Sequence, residues 1–296
     1  MNAEQTGDPA GDQADDQADD PGAILDWKGR PVRCRECDHQ AINAMGLCAK
    51  GQACIRDRRA RRVDRFLQGN PTLADQYLDH PYFEVRAGAA RYANLFRLPP
   101  LLADPEPEVR AMATLRLPED RIRPMLHDAD QHVRMAAASR LRGQDLLPAL
   151  ADDAYMVRLI AVRRMPPELL PLVRHDPDPE VRGWVARRID PRALPDMCFD
   201  ADAGVRREVA ARLPIDQLCL LIADSDVLVR QEVAERCVEE DLFPLLDDPE
   251  EPIRETARRR IASVPSLAAR LAAHRPAGTG PALRLTTLPP AGADEP

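Results

Sequence analysis

Aromatic residues and glycine are scarce in this chain of 296 residues, which contains 5 Phe, 4 Tyr, 2 Trp and 14 Gly. So few aromatic residues argue against an aromatic-rich β-sandwich, and so few glycines argue against a glycine-rich nucleotide-binding enzyme. No segment reaches the roughly 18 consecutive apolar residues of a membrane span, and the first twenty residues are acidic where a signal peptide would be basic and then apolar. We therefore expect a cytoplasmic protein that makes no membrane contact.

Catalytic motifs are also missing from the sequence. The six histidines are scattered, and neither a G-x-S-x-G motif nor a glycine-rich phosphate loop is present. The sequence therefore predicts a protein that is not an enzyme.

Both ends of the chain have compositions that are typical of disorder. Residues 1–22 contain seven carboxylates and no Lys or Arg, and residues 272–296 contain five prolines and three glycines. Neither segment has enough apolar surface to offset the entropy of ordering. We predict a disordered acidic tail over 1–22 and a disordered Pro/Gly-rich tail over 272–296.

An apolar residue followed by arginine recurs every 24 residues, eight times without an insertion. An aspartate lies five residues before each pair, with His80 in its place in the first copy, and further apolar residues follow four and eight positions after the pair's first member. The pairs are Val85-Arg86, Val109-Arg110, Val133-Arg134, Val157-Arg158, Val181-Arg182, Val205-Arg206, Val229-Arg230 and Ile253-Arg254. A repeated structural unit of 24 residues is the natural interpretation.

The apolar spacing within each unit predicts an amphipathic helix of about three turns. A short apolar piece with a central proline, such as Leu146 to Leu150, then leaves room only for a 3₁₀ turn. Units this small must stack to bury their apolar stripes, so we predict an all-α solenoid of eight repeats over residues 80–271. Cys198, Cys219 and Cys237 fall within it as small core residues.

Four cysteines lie close together ahead of the repeats, at Cys34, Cys37, Cys48 and Cys54, with the spacing C-x2-C-x10-C-x5-C. Four thiolates suit either a tetrahedral zinc ion or an iron–sulfur cluster. The wide second pair favours iron–sulfur, because structural zinc sites more often have two closely spaced pairs. His39 could replace one thiolate, although four cysteines make that unnecessary.

Residues 23–65 carry eleven Lys or Arg against five acids. This excess could stabilise an anionic metal–thiolate complex, bind a partner or the acidic tail, or form a solvated helix face. The candidate partner-binding residues are Arg56, Arg58, Arg59, Arg61, Arg62 and Arg65. The repeats themselves carry 28 arginines and 33 acids, which disfavours a nucleic-acid-binding solenoid.

The arginines within the repeats fall into two series. The arginine of each apolar–arginine pair could pair with the repeated aspartates as a structural ladder. A second series could line one face as a binding stripe, at Arg116, Arg140, Arg164, Arg188, Arg212, Arg236 and Arg260.

The cysteine-rich segment followed by 24-residue repeats resembles the leucine-rich repeat variant family with its N-terminal 4Fe-4S module. The resemblance implies a right-handed superhelix that alternates α- and 3₁₀-helices, and a [4Fe-4S] cluster on Cys34, Cys37, Cys48 and Cys54, with zinc as the alternative. It divides the folded chain into a cluster module over 23–58, a linking or capping helix over 59–79 and the solenoid. Because a solenoid presents an extended surface and a cluster could transfer an electron or respond to oxidation, we expect a redox-linked adaptor or electron-transfer role, with a protein partner favoured over nucleic acid. The resemblance alone adds an expected role near the redox machinery of nitrogen fixation.

Overall fold

The computed structural model describes residues 24–274. The predicted acidic tail over 1–22 lies outside the described residues, and so does the predicted Pro/Gly-rich tail from residue 275 onward. The last helix, Pro265–Ala273, extends two residues past the predicted end of the solenoid.

The described residues divide into two compact units, with the boundary between Leu141 and Arg142. The α-helices described in the first unit are α1 Gln40–Ala44, α2 Ala60–Gly69, α3 Phe83–Tyr92, α4 Pro107–Arg116, α5 Glu119–Ile122 and α6 Gln131–Arg140. Those described in the second are α7 Tyr155–Arg164, α8 Pro179–Arg188, α9 Ala203–Arg212, α10 Val227–Arg236, α11 Glu251–Ala262 and α12 Pro265–Ala273. None of these helices is long and apolar enough to cross a membrane.

Short 3₁₀ helices connect the α-helices, as the central prolines predict. Their bounds are Cys34–Glu36, Pro71–Tyr77, Leu95–Arg97, Pro99–Ala103, Arg123–His127, Gly143–Ala151, Pro167–Val173, Pro191–Met197, Ile215–Leu221 and Glu239–Asp247. The predicted all-helical repeat fold is confirmed, because each of the eight apolar–arginine pairs lies in its own α-helix. The segment predicted as a linking helix over 59–79 contains both α2 and the 3₁₀ helix Pro71–Tyr77.

Helix α8 shows how the sequence of one repeat sets its structure. The Asp178 carboxylate accepts a hydrogen bond from the Glu180 amide at 2.8 Å and caps the helix start, where Pro179 loses no hydrogen bond. Val181 and Val185 are completely buried, and Ile189 is buried as the residue that ends the helix in an extended conformation. The predicted stripe therefore forms the core, since neighbouring helices α7 and α9 pack on either side of α8.

The first arginine series forms the predicted ladder between successive repeats. Arg182 donates Nε to Asp200 Oδ2 at 2.7 Å and Nη2 to Asp200 Oδ1 at 2.8 Å, and its Nη1 donates to the carbonyl of Asp176 at 2.8 Å. The same pairing joins Arg86–Asp104, Arg110–Asp128, Arg158–Asp176, Arg206–Asp224 and Arg230–Asp248 within the two units. Each two-pronged contact ties one helix to the turn that precedes the next helix.

Burial alone would raise the pKa of the Asp200 carboxyl, but hydrogen bonds from Arg182 and from the Asp202 amide outweigh burial. They hold the pKa of Asp200 below its ordinary value. In the first copy His80 replaces the aspartate, and its Nδ1 accepts the amide of Tyr82 at 3.0 Å as an aspartate oxygen would. The histidine thus preserves the turn.

Six of the seven arginines in the second series donate to backbone carbonyls and so do not form the predicted binding stripe. Arg212 donates to the carbonyls of Ala186 at 2.6 Å and Ile189 at 2.9 Å, which belong to the end of the preceding helix. Arg116, Arg140, Arg188, Arg236 and Arg260 likewise donate to carbonyls of the preceding repeat. A helix end leaves its last carbonyls without helical partners and carries partial negative charge, so these arginines cap the neighbouring repeat.

The three cysteines of the repeats differ in burial. Cys198 and Cys237 are buried, as predicted for small core residues, whereas the prediction for Cys219 is wrong because its side chain is exposed. Cys219 lies in the 3₁₀ helix Ile215–Leu221, whose core positions are filled by Leu218 and Leu221.

Candidate metal centre

Two short turns present the four predicted cysteine ligands. Cys34 begins the 3₁₀ helix Cys34–Glu36, and the amide of Cys37 donates to the Cys34 carbonyl at 3.2 Å to close that turn. Both side chains are half-buried. The C-x2-C pair is therefore held on one turn, as a shared metal centre requires.

Cys48 and Cys54 lie on either side of a tight loop, and both are buried. Ala49 and Ala53 exchange backbone hydrogen bonds of 2.9 and 3.0 Å across it. Gly51 at the tip has φ +80°, a left-handed conformation that favours glycine, and a Cβ there would lie 2.7 Å from Ile24 Cδ1. The loop thus brings the distant second pair of cysteines back toward the domain interior.

The four thiols are near enough to influence one another electrostatically. Burial raises the pKa of the Cys54 thiol, and the charges of Cys48 and Cys37 raise it further. Burial also raises the pKa of Cys48, with additional contributions from Cys37 and Cys34. Thiolates gathered in this way repel one another, so a bound cation is what would favour their ionised form.

Asn43, which the sequence did not single out, supports Cys48. Its Nδ2 donates to the Cys48 carbonyl at 2.8 Å and lies 3.8 Å from the Cys48 sulfur. This contact lowers the pKa of Cys48 and partly offsets the effect of burial. An asparagine five residues before a cysteine has no distinguishing sequence signal, so only the structure identifies it.

The His39 side chain contacts two aromatic residues. One of its ring nitrogens is hydrogen-bonded to the Tyr77 hydroxyl, and its ring lies 5.2 Å from that of Phe66 in α2. Burial, with Cys37, Asp38 and Cys54 nearby, raises the pKa of Tyr77 to about 12. His39 thus ties the cysteine module to the helical part of the first unit.

The predicted partner-binding arginines separate into two groups. Arg56 donates to the Glu36 carbonyl at 2.9 Å, and Arg62 donates to the buried carboxylate of Asp57 at 2.8 Å. Both side chains therefore stabilise the cysteine module internally. The other four, Arg58, Arg59, Arg61 and Arg65, are exposed near the start of α2.

Within residues 24–274, no group of three or more His, Cys, Asp or Glu side chains is placed to hold a single metal ion. The chemistry of the donor set nevertheless suits an iron–sulfur cluster, since four soft sulfur donors occur on two turns of one small module and interact electrostatically. Cys34, Cys37, Cys48 and Cys54 are the residues that would hold it.

Comparison with known proteins agrees with this arrangement. Residues 24–76 match the family described as "LRV protein FeS4 cluster". An "Uncharacterized 27.7 kDa protein in nifB 3'region" from Rhodobacter capsulatus is 51% identical over 83 residues, and the match covers 28% of this chain and only 34% of that relative.

A solved structure described as "A leucine-rich repeat variant with a novel repetitive protein structural motif" is 37% identical, with a TM-score of 0.73. The match covers 77% of this chain and 98% of the chain in that solved structure. The chain belongs to the leucine-rich repeat variant family, with an FeS4 cluster domain ahead of its helical repeats.

Proposed function

We propose that Cys34, Cys37, Cys48 and Cys54 hold one [4Fe-4S] cluster, and that the protein is a non-enzymatic, redox-linked adaptor. The observation that carries this proposal is that the four cysteines, two of them buried, lie on one turn and one tight loop inside the segment that matches the FeS4 family. A bound cluster would supply a one-electron couple, and the helical repeats would supply the surface that a macromolecular partner contacts.

The surroundings of the cysteines support a stable cluster. Arg56 brings positive charge to the module while donating to the Glu36 carbonyl, and Arg62 neutralises the buried Asp57 carboxylate. Positive charge offsets the negative charge of four thiolates around a cluster and raises its reduction potential. The loops over Cys48 and Cys54 shield those two sulfurs from solvent.

We extend the proposal to a role near the redox machinery of nitrogen fixation. The name of the Rhodobacter capsulatus relative places it in the nifB 3' region, which supports a role near nitrogen-fixation redox machinery. A cytoplasmic location and a protein partner are consistent with that role.

Substitution of a cysteine ligand tests the cluster assignment. Cys37→Ser, in protein purified without oxygen, is expected to lose most of the visible absorbance and of the electron paramagnetic resonance signal of the reduced cluster, because serine is a poor ligand for iron–sulfur centres. Cys219→Ser is the matched control, since Cys219 is exposed and lies in the repeats. Equal spectra for the two variants would contradict the assignment, and bound zinc in the wild type would replace it with a structural site.

A further inference from the structure

Four exposed arginines form a basic surface beside the cysteine module, where helix α2 begins. Across residues 24–274, none of their side chains forms an ion pair or a side-chain hydrogen bond. Their positive charge is therefore not neutralised within this range. We call this surface the arginine face, and it consists of Arg58, Arg59, Arg61 and Arg65.

The carboxylates closest in sequence to the arginine face already have other partners. Asp57 is buried and accepts a hydrogen bond from Nη1 of Arg62 at 2.8 Å. Asp64 accepts one from Nη1 of Arg91 at 2.9 Å. Because both acids of residues 57–65 are engaged in this way, a carboxylate that neutralises the arginine face has to come from elsewhere.

The start of α2 carries charge of the sign that its helix dipole disfavours. The N-terminal end of a helix is partially positive and is stabilised by anions. No acidic residue lies in the first turn of α2, and no side chain caps the helix at Arg59. Helices α3, α4 and α8, by contrast, have a glutamate in their first turn, at Glu84, Glu108 and Glu180. An anionic segment at the start of α2 would remove this local conflict, and departures from a local rule concentrate at functional positions.

The acidic segment 1–22 is attached to the chain next to the arginine face. The amide of Arg58 donates to the carbonyl of Leu25 at 3.1 Å. The segment has seven carboxylates and no Lys or Arg, and Asp20 is only five residues from Leu25 in sequence. Five residues span up to about 18 Å, and a helix rises about 1.5 Å per residue, so carboxylates of the segment can reach every arginine of the face.

We propose that the carboxylates of residues 1–22 bind the arginine face and compete with other anionic ligands for it. A guanidinium donates two parallel N–H bonds to a carboxylate, so four arginines accommodate several Asp or Glu side chains. Because the segment and the face are joined through Leu25, the effective concentration of carboxylates at the face is on the order of millimolar. The contact does not require a cluster, so it is independent of the proposed redox function.

Carbodiimide crosslinking of the full chain tests the contact directly, because this reagent joins a carboxylate to an amine without a spacer. Arg61→Lys places an amine on the arginine face and keeps its charge. We expect mass spectrometry to find crosslinks from this amine to Asp or Glu within residues 1–22. Arg121→Lys is the matched control, since Arg121 is exposed in the repeats of the same unit, and we expect no crosslink from it to that segment.

Removing the charge of the segment gives an independent measurement. Replacing every Asp by Asn and every Glu by Gln within residues 1–22 is expected to strengthen binding of a labelled Asp/Glu-rich peptide about tenfold in low salt, because the internal competitor is lost. Adding Arg59→Gln, Arg61→Gln and Arg65→Gln is expected to abolish this gain. Fluorescence anisotropy measures both effects, and high salt should remove the difference by screening the charges.

Three results would overturn the proposal: no crosslink between the Arg61→Lys amine and residues 1–22, equal crosslinking in the Arg121→Lys control, or a peptide affinity that does not change when the segment is neutralised. A mixture of isotopically labelled and unlabelled chains separates contacts within one chain from contacts between chains. Crosslinks found mainly between labelled and unlabelled chains would overturn the proposal in favour of a contact with a second copy.

Discussion

At the scale of the residue, the arginine of each ladder rung makes contacts that lysine cannot reproduce. Arg182 uses Nε and Nη2 on Asp200 while its Nη1 bonds to the Asp176 carbonyl, and its side chain is only 13% exposed. A planar guanidinium satisfies both partners at once, whereas an ammonium acts as a point charge. The strength of each arginine–aspartate pair therefore depends on the planar shape of the guanidinium as well as on its charge.

Replacing that arginine by lysine should therefore destabilise the protein. We expect Arg182→Lys to lower the free energy of unfolding by about 1–3 kcal/mol, because hydrogen bonds are lost while the aspartate stays buried. Urea denaturation of the full chain measures the change. Arg192→Lys is the control, since Arg192 is exposed, and equal midpoints for the two variants would show that the rung contributes charge alone.

Low pH should weaken the same arginine–aspartate pairs. The pKa of Asp200 is lowered in the folded protein, so its stabilisation is complete above the ordinary aspartate pKa of about 3.9 and is lost as the pH falls through the lower folded value. We expect Asp200→Asn to be less stable than the wild type at about pH 6, with the difference shrinking as the pH falls below about 3.9 and through the folded-state pKa. Urea midpoints over this pH range check this. A difference that persists in strong acid would mean that Asp200 does not act through its charge.

At the scale of the element, the sequence predicted the helix, the 3₁₀ piece and the buried stripe because each follows from local spacing. Val181, Val185 and Ile189 recur at helical intervals, and proline fixes where each helix must end. The role of the second arginine series could not be predicted. Its recurrence was visible, but whether Arg212 points to solvent or to a carbonyl 26 residues away depends on how the repeats stack.

Removing one of these capping arginines should loosen the end of the preceding helix. Arg212→Gln is expected to cost about 1–3 kcal/mol, because the carbonyls of Ala186 and Ile189 lose a charged donor. Hydrogen exchange should rise first in the last turn of α8. A rise spread evenly over residues 142–274 would instead indicate global destabilisation, without a specific effect at the helix end.

At the scale of the whole molecule, the chain combines a small cysteine module with a series of helical repeats. The four cysteines could be identified from sequence because their spacing is unusual for so short a segment. The residues that stabilise the module could not be identified in this way. His39 is hydrogen-bonded to Tyr77, which lies 38 residues away in sequence, and Asn43 is not part of the cysteine pattern.

This organisation predicts that cluster loss acts locally. Removing iron with a chelator is expected to raise hydrogen exchange across residues 24–59, where the module is too small to have a large apolar core of its own. Exchange in residues 142–274 should change little, since repeat stability comes from contacts between adjacent units. Loss of protection in both regions would contradict this independence.

The central claim is tested most directly by counting iron and acid-labile sulfide in the full chain purified without oxygen. The account predicts a brown protein with about four iron and about four sulfide per chain. A colourless protein with about one zinc per chain and no sulfide would contradict it.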